Sequence, residues 1–162
     1  MAETIFIPDR VKRELIVERV FDAPRELVWK AWTEPERLAH WWGPRGWATT
    51  TYEMDVKPGG VWFYCMRGPE GMESWCKTHY QEIVEPERLV YLDTFSDPQG
   101  NLAEGMPHIL ITTEFTEHSG KTKVTSYTKL ASVEDLDTLL KMGVKKGLIE
   151  TWDRLAEYLA TT

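Results

Sequence analysis

The sequence has few cysteines, no long apolar run and no surplus of basic residues. Two cysteines among 162 residues do not make a disulfide framework, so both are expected to be reduced thiols. One of the longest apolar runs, Val61 to Met66, has six residues, whereas a membrane-spanning helix needs about twenty. These shortages exclude a disulfide-stapled scaffold and a helical membrane span.

The charge balance argues against nucleic acid as a partner. Acidic residues outnumber basic residues by 26 to 19, which gives a net charge of −7. Nucleic-acid binders usually carry a basic surplus because phosphate neutralisation supplies much of their affinity. The N-terminus carries Glu3 and Asp9 and has no apolar stretch like that of a secretory signal. A cytoplasmic location is therefore expected.

Histidine and cysteine spacing offers little for catalysis. The four histidines lack a metal-ligand spacing such as H-x-x-x-H, and the cysteines lack C-x-x-C spacing. The sequence also has no G-x-S-x-G elbow. We therefore predict no metal, no cofactor and no catalytic residue, and favour a non-enzymatic function while leaving an enzyme open.

Tryptophan is unusually abundant, with eight residues among 162, several times what average usage suggests. Each indole buries a large apolar area and carries one N–H donor. Such a surplus indicates either a large packed aromatic core or an aromatic-lined cavity. Composition alone does not separate these two alternatives.

Hydrophobic alternation predicts a sheet of seven strands. The β-branched run Leu15 to Phe21 predicts the first strand, and six further segments joined by short turns predict an antiparallel meander. Residues 1–10 are predicted to be a short extension of a single domain that spans the chain. The predicted strands are 15–21, 49–56, 61–67, 75–84, 88–95, 108–115 and 121–130.

Two short helices are predicted between the first and second strands. Asp22 and Pro24 are helix-start residues for the first. Thr33 is predicted as the N-cap of the second, with Glu36 completing a capping box.

The last thirty residues predict one long helix, with Ser132 as its N-cap. Apolar residues recur at helical spacing over about six turns, and only a sheet that curls around the helix can bury that stripe. Gly143 and Gly147 interrupt it, which indicates either close backbone contact with the sheet or space left for a ligand. The stripe consists of Leu136, Leu140, Val144, Leu148, Trp152, Leu155 and Leu159.

This order of elements resembles the SRPBCC superfamily, which includes START lipid-transfer domains and the birch-pollen allergen. Within it, the chain looks more like the bacterial branch related to the C-terminal domain of the heat-shock-ninety ATPase activator. It implies an α+β helix-grip fold, in which a seven-stranded antiparallel sheet curls around a long C-terminal helix. The matching segments are FDAPRELVWKAWTEPERLAHWWGP (21–44), DVKPGGVW (55–62), MRGPEG (66–71), EIVEPERLVY (82–91), GKTKVTSYT (120–128) and GLIETWDRLAEYL (147–159).

The resemblance also implies a cavity between the sheet and the long helix. Relatives bind lipids, polyketides or other hydrophobic molecules, and some cyclise or aromatise polyketides. The leading expectation is a binding module for a small hydrophobic or aromatic ligand, present as a monomer or homodimer. Alternatives are a cyclase-, aromatase- or hydrolase-like enzyme using the same cavity, and a co-factor of a chaperone.

Candidate ligand-binding residues follow from placing the aromatic side chains in that cavity. Trp62, Tyr64 and Met66 are predicted to point inward because of the preceding turn and the family pattern, so Cys65 points outward. The family often has Trp directly after Gly147 and Leu four residues later; here Leu148 and Trp152 exchange these places, which reshapes one end of the cavity. The candidates are Trp42 at the mouth, Tyr64, Met66, Trp75, His79, Phe95, His108, Val144 and Trp152.

Overall fold

The computed structural model describes residues 3–106 and 108–162. These residues form an α+β fold with a single antiparallel sheet of eight strands, four α-helices and one short 3-10 helix, Pro69–Gly71. The expected fold class is therefore confirmed. The strands are β1 (Ile5–Asp9), β2 (Glu14–Phe21), β3 (Ala48–Met54), β4 (Val61–Arg67), β5 (Glu73–Val84), β6 (Arg88–Ser96), β7 (Ile109–His118) and β8 (Lys121–Leu130).

The sheet has one strand more than the seven predicted, and its order is β1-β2-β8-β7-β6-β5-β4-β3. The added strand is β1, which pairs with β2 and places Ile7 opposite Ile16. It lies within the predicted N-terminal extension, of which residues 1 and 2 fall outside the described part. Pro8 obscured the strand in the sequence, although an edge strand tolerates proline because its outer N–H groups need no partner.

The two short helices between β2 and β3 are confirmed as α1 (Arg25–Thr33) and α2 (Pro35–Leu38). The predicted cap of the second is wrong. Thr33 is the last residue of α1, and its hydroxyl donates a 2.9 Å hydrogen bond to the Trp29 carbonyl. Glu34 is the N-cap of α2 instead, because the hydroxyl of Thr33 bonds backward into α1 and leaves the next residue to begin the new helix.

The predicted long C-terminal helix is confirmed as α4 (Val144–Leu159), but its predicted extent over the last thirty residues is wrong, because a separate helix, α3 (Val133–Lys141), precedes it. Gly143 has φ +84°, a left-handed conformation that interrupts the helix and that glycine adopts without steric cost. The predicted N-cap is confirmed, because Ser132 Oγ accepts a 3.1 Å hydrogen bond from the Asp135 N–H. None of the helices in the described residues is long and apolar enough to cross a bilayer.

The aromatic surplus forms a packed core between α1, α4 and the sheet. The Trp32 ring lies edge-on to Trp41, Phe115 and Trp152, at centroid distances of 4.6, 5.3 and 5.9 Å. Such edge-to-face contacts stabilise beyond the area they bury. The buried tryptophans are Trp29, Trp32, Trp41, Trp62 and Trp152.

Candidate functional site

A cavity of about 330 Å³ lies between the inner face of the sheet and helices α3 and α4. Its volume is near the lower end of the range for small-molecule sites. Met142 and Gly143, at the junction of the two helices, are its exposed members and mark where it meets solvent. The lining also includes Val17, Trp32, Trp42, Gly43, Pro44, Tyr64, Met66, Cys76, Tyr91, Asp93, Thr94, Phe95, Ile109, Ile111, Ser126, Thr128, Leu139, Val144, Gly147, Leu148, Thr151 and Trp152.

Strand register decides which side chains form the floor of this cavity. Tyr64 on β4 lies opposite Cys76 on β5, which in turn lies opposite Phe95 on β6. Residues directly opposite one another in an antiparallel pair share a face, so these three form one row across the floor.

Six of the nine predicted residues line the cavity. Trp42 is half-buried at its edge and meets the Trp62 and Tyr64 rings edge-on, at 5.0 and 6.2 Å. Trp62 stacks on Tyr64 at 3.9 Å, which makes this wall flat and rigid. The six are Trp42, Tyr64, Met66, Phe95, Val144 and Trp152.

Trp75, His79 and His108 lie elsewhere, so their predicted placement in the cavity is corrected. Trp75 is opposite Cys65 on the outer face, where it stacks on Tyr52 at 5.2 Å. His79 shares that face, and His108 is exposed just before β7. The prediction placed Trp75 and His79 on the wrong face of β5. Lys77 lies between them on the same face, and its charge already indicated that this face is directed toward solvent.

Asp93 is the polar floor residue that sequence reasoning missed. It accepts a 2.5 Å hydrogen bond from Thr78 Oγ1, which lies opposite it on β5. Burial raises the pKa of Asp93 to about 7, although the hydrogen bond from Thr78 works against this rise. The missed signal was alternation, since an inward Phe95 places Asp93 and Tyr91 on the same face.

A second polar row crosses the floor beside Asp93. The Tyr91 hydroxyl is 3.2 Å from Thr113 Oγ1, which is 2.8 Å from Ser126 Oγ. Burial raises the pKa of Tyr91, so its hydroxyl is neutral at ordinary pH. Trp32 Nε1 is a buried donor with no hydrogen-bond partner of normal geometry among the described residues, although it lies close enough to Tyr91 to lower the pKa of that hydroxyl.

The remaining chemistry of the cavity is weak in nucleophiles and metal ligands. Burial raises the pKa of Cys76 to about 11, so this thiol is protonated and unreactive at neutral pH. Across residues 3–106 and 108–162, no group of His, Cys, Asp and Glu side chains has the arrangement of a metal site. The lining therefore offers mainly apolar surface and one carboxyl that titrates near neutral pH.

Arg154 holds the edge of the cavity in place. Its guanidinium donates to the carbonyls of Gly43, Trp47 and His40, at 2.8, 3.1 and 3.2 Å. These bonds fix the segment 40–47, here called the mouth loop, against α4.

The two helix glycines have different roles. A Cβ at Gly147 would lie 3.6 Å from Pro44 Cγ, which is ordinary van der Waals contact, so this position packs against the mouth loop rather than the sheet and has room for a methyl group. Gly143 breaks the helix, and a Cβ there would meet no atom within 4 Å. Both glycines line the cavity.

Comparison with known proteins identifies a matching family and several solved structures of the same fold. Residues 22–160 match the family described as Activator of Hsp90 ATPase homolog 1-like protein. Among proteins of curated function, none matches the chain.

Several solved structures are similar over nearly the whole chain. Protein Ms6760 from Mycobacterium smegmatis is 30% identical, with a TM-score of 0.91 over 100% of this chain and 99% of that one. A protein from Arthrobacter aurescens is 25% identical, with a TM-score of 0.92 over 98% and 92%. One from Staphylococcus epidermidis is 31% identical, with a TM-score of 0.83 over 93% and 91%.

Proposed function

The chain belongs to the family of activator of Hsp90 ATPase homolog 1-like proteins, and we propose that it binds a small, largely apolar molecule in its cavity. The cavity itself is the observation that carries this proposal. Protein interiors are close-packed, and an unfilled space forfeits dispersion contacts. Here about 330 Å³ stays open directly beside an aromatic core that packs tightly, which is the arrangement a guest would fill.

The walls favour a flat guest. Trp42 and Tyr64 present rigid aromatic surfaces on one side, and Val144 and Leu148 present aliphatic side chains from α4 on the other. Burying a guest there gains roughly 25 cal/mol per Å² of apolar area, before the cost of immobilising it.

An acid–base enzyme using the same cavity is the second candidate, and Asp93 is the observation that favours it. A carboxyl with a pKa of about 7 exchanges a proton at neutral pH, as general acid–base catalysis requires. Binding remains the leading proposal because Asp93 has no catalytic partner among the described lining residues. A chaperone co-factor role rests on the family description alone.

Ligand titration tests the binding proposal. Flavonoids, polyketide-like aromatics and fatty acids are added while Trp emission and melting temperature are followed. A guest is expected to change the emission and to raise the melting temperature by mass action. Native mass spectrometry of freshly purified protein tests whether a guest is already bound.

A matched pair of variants assigns the effect to the cavity. Leu148→Phe adds bulk inside the cavity, and Leu102→Phe makes the same change at a position that is 47% exposed. Binding should weaken in the first variant only. The proposal is wrong if no compound affects the native protein, or if Leu148→Phe binds as tightly as Leu102→Phe.

A further inference from the structure

We propose that Asp93 makes the cavity selective for a ligand with a positively charged nitrogen, such as a protonated aromatic amine. The inference rests on the proposed function and deepens it, since it names the class of molecule that the cavity takes. It starts from an imbalance in the lining, where the described residues include one carboxylate and no cation.

The protein leaves most of the hydrogen-bonding capacity of Asp93 unused. A carboxylate has about four acceptor sites, and the side chains of the described residues fill one, through Thr78 Oγ1. Asp93 is half-buried and lines the cavity. Its remaining acceptor sites are therefore available to a molecule in the cavity.

No neighbouring element in the described part of the chain supplies a counter-charge. The titratable groups facing Asp93 are Tyr64 on β4, Cys76 and Tyr80 on β5, and Tyr91 on β6. Burial raises the pKa of all four, so they are neutral at pH 7.

The other elements around the cavity leave this imbalance in place. Helix α1 contributes Trp32, and α4 contributes apolar side chains and Thr151, none of which is charged. Lys77 and His79 belong to the outer face of β5, since they lie opposite Phe63 and Val61.

A ligand cation would correct this imbalance in two ways. It would give the desolvated carboxylate the opposite charge it lacks, which favours the ionised form of Asp93. It would also lie near aromatic rings, because Tyr91 and Phe95 flank Asp93 along β6 and Tyr64 lines the same floor. Aromatic faces attract organic cations within about 6 Å.

The competing mode, a neutral ligand that accepts a proton from Asp93, has the opposite pH dependence. A cation binds the ionised carboxylate, so its affinity should rise as pH increases through the Asp93 pKa of about 7. A neutral acceptor binds the protonated carboxyl, so its affinity should fall over the same range.

Three probes of nearly equal shape separate these modes in the native protein. They are 1-naphthylmethylamine, 1-methylnaphthalene and 1-naphthoic acid, titrated by calorimetry at about pH 5.5 and about pH 8. We expect the amine to bind at least about tenfold more tightly than methylnaphthalene at the higher pH, and more tightly there than at the lower pH. The proposal is overturned if, at the higher pH, the amine binds no more tightly than methylnaphthalene, or no more tightly than it binds at the lower pH.

Asp93→Asn provides the matched variant, because it keeps the shape and the contact with Thr78 while removing the charge. It should abolish the preference for the amine and leave methylnaphthalene binding within about twofold. A preference that persists in this variant would also overturn the proposal. If none of the probes binds the native protein, the proposed function itself is wrong. If methylnaphthalene binds and the amine is not preferred, only the proposed selectivity for a cation is wrong.

Discussion

Cys65 and Cys76 lie on adjacent strands, but their side chains leave the sheet on opposite faces. Cys65 is opposite Trp75 on the outer face, and Cys76 is opposite Tyr64 on the cavity floor. A disulfide requires Cβ atoms that approach each other, which opposite faces prevent. Both thiols are free and buried.

Thiol titration under non-reducing conditions should therefore find both cysteines reduced after denaturation. In the native protein both should react slowly, because burial raises the pKa of each thiol, that of Cys76 to about 11. A guest in the cavity should slow Cys76 further and leave Cys65 unchanged. An intramolecular disulfide, or rapid native labelling near neutral pH, would contradict this arrangement.

Two leucines of α4 should differ in their effect on stability. Leu155 is fully buried in the aromatic core, whereas Leu148 is partly buried and lines the cavity. Leu155→Ala should cost about 2–5 kcal/mol of unfolding free energy, because it creates a new void in packed protein. Leu148→Ala should cost less than about 2 kcal/mol, because it enlarges a space already open.

Urea unfolding of the two alanine variants measures this difference. Equal losses would mean that the cavity beside Leu148 is filled in solution.

The ion pair between Arg19 and Asp153 joins β2 to α4. Arg19 Nη1 lies 2.5 Å from Asp153 Oδ1, and the arginine side chain is 6% exposed. Asp153→Asn should cost about 1–3 kcal/mol, since it leaves a buried guanidinium without its counter-charge while solvent still reaches position 153. Asp137→Asn, which breaks an exposed pair with Arg10, is the control and should change stability by less than about 0.5 kcal/mol.

Thermal or urea unfolding of both variants gives the comparison. If Asp153→Asn behaves like Asp137→Asn, the buried pair does not fasten the helix to the sheet.

Asp93 should make stability depend on pH in an unusual direction. Its pKa is about 7 in the folded protein and near 3.8 when unfolded, so the folded state binds the extra proton. The protonated carboxyl stabilises the fold fully below the unfolded-state pKa, and this contribution is lost as pH rises through the folded-state pKa of about 7. Asp93→Asn should therefore be more stable than the native protein at pH 8, by about 1–3 kcal/mol after allowance for solvent in the cavity.

Asp97→Asn is the control with the opposite sign. Backbone N–H groups, led by that of Asn101, lower the pKa of Asp97. Its ionised form therefore stabilises the fold at pH values above the unfolded-state pKa, and this contribution is lost as pH falls. This variant should be destabilised at pH 8. Urea midpoints between about pH 4 and about pH 8 follow both variants, and a loss of stability in Asp93→Asn at the higher pH would refute the buried-carboxyl account.

Arg154 should control how firmly the mouth loop closes the cavity. Arg154→Met keeps much of the apolar stem but removes the hydrogen bonds to the loop carbonyls. Amide exchange in residues 43–47 and dissociation of a bound guest should both become faster. Arg45→Met removes only the exposed pair with Glu157 and should have little effect, and equal behaviour of the two variants would argue against the clamp.

Strand pattern and the six family segments were enough to predict the fold class and most of its strands. The errors occur where local signals conflict. A proline concealed β1, and apolar periodicity on both sides of Gly143 suggested a single helix because periodicity carries no information about one residue's φ.

The candidate site was predicted less completely, because a cavity depends on the parity of several strands at once. An error of one residue moves every side chain to the other face, and this happened at Trp75 and His79. The position of Asp93 on the cavity floor could have been predicted from its spacing to Phe95. Its raised pKa could not have been predicted, since it depends on burial by the neighbouring strands and helices.

The indole N–H signals of the eight tryptophans provide the most direct test of the central claim, that this cavity takes up a ligand. In a ¹⁵N-labelled protein, a guest found by titration should shift the signals of Trp42 and Trp152, which line the cavity. Trp75, on the outer face, should remain unchanged. Shifts confined to Trp75, or no shift while the guest is demonstrably bound, would contradict the account.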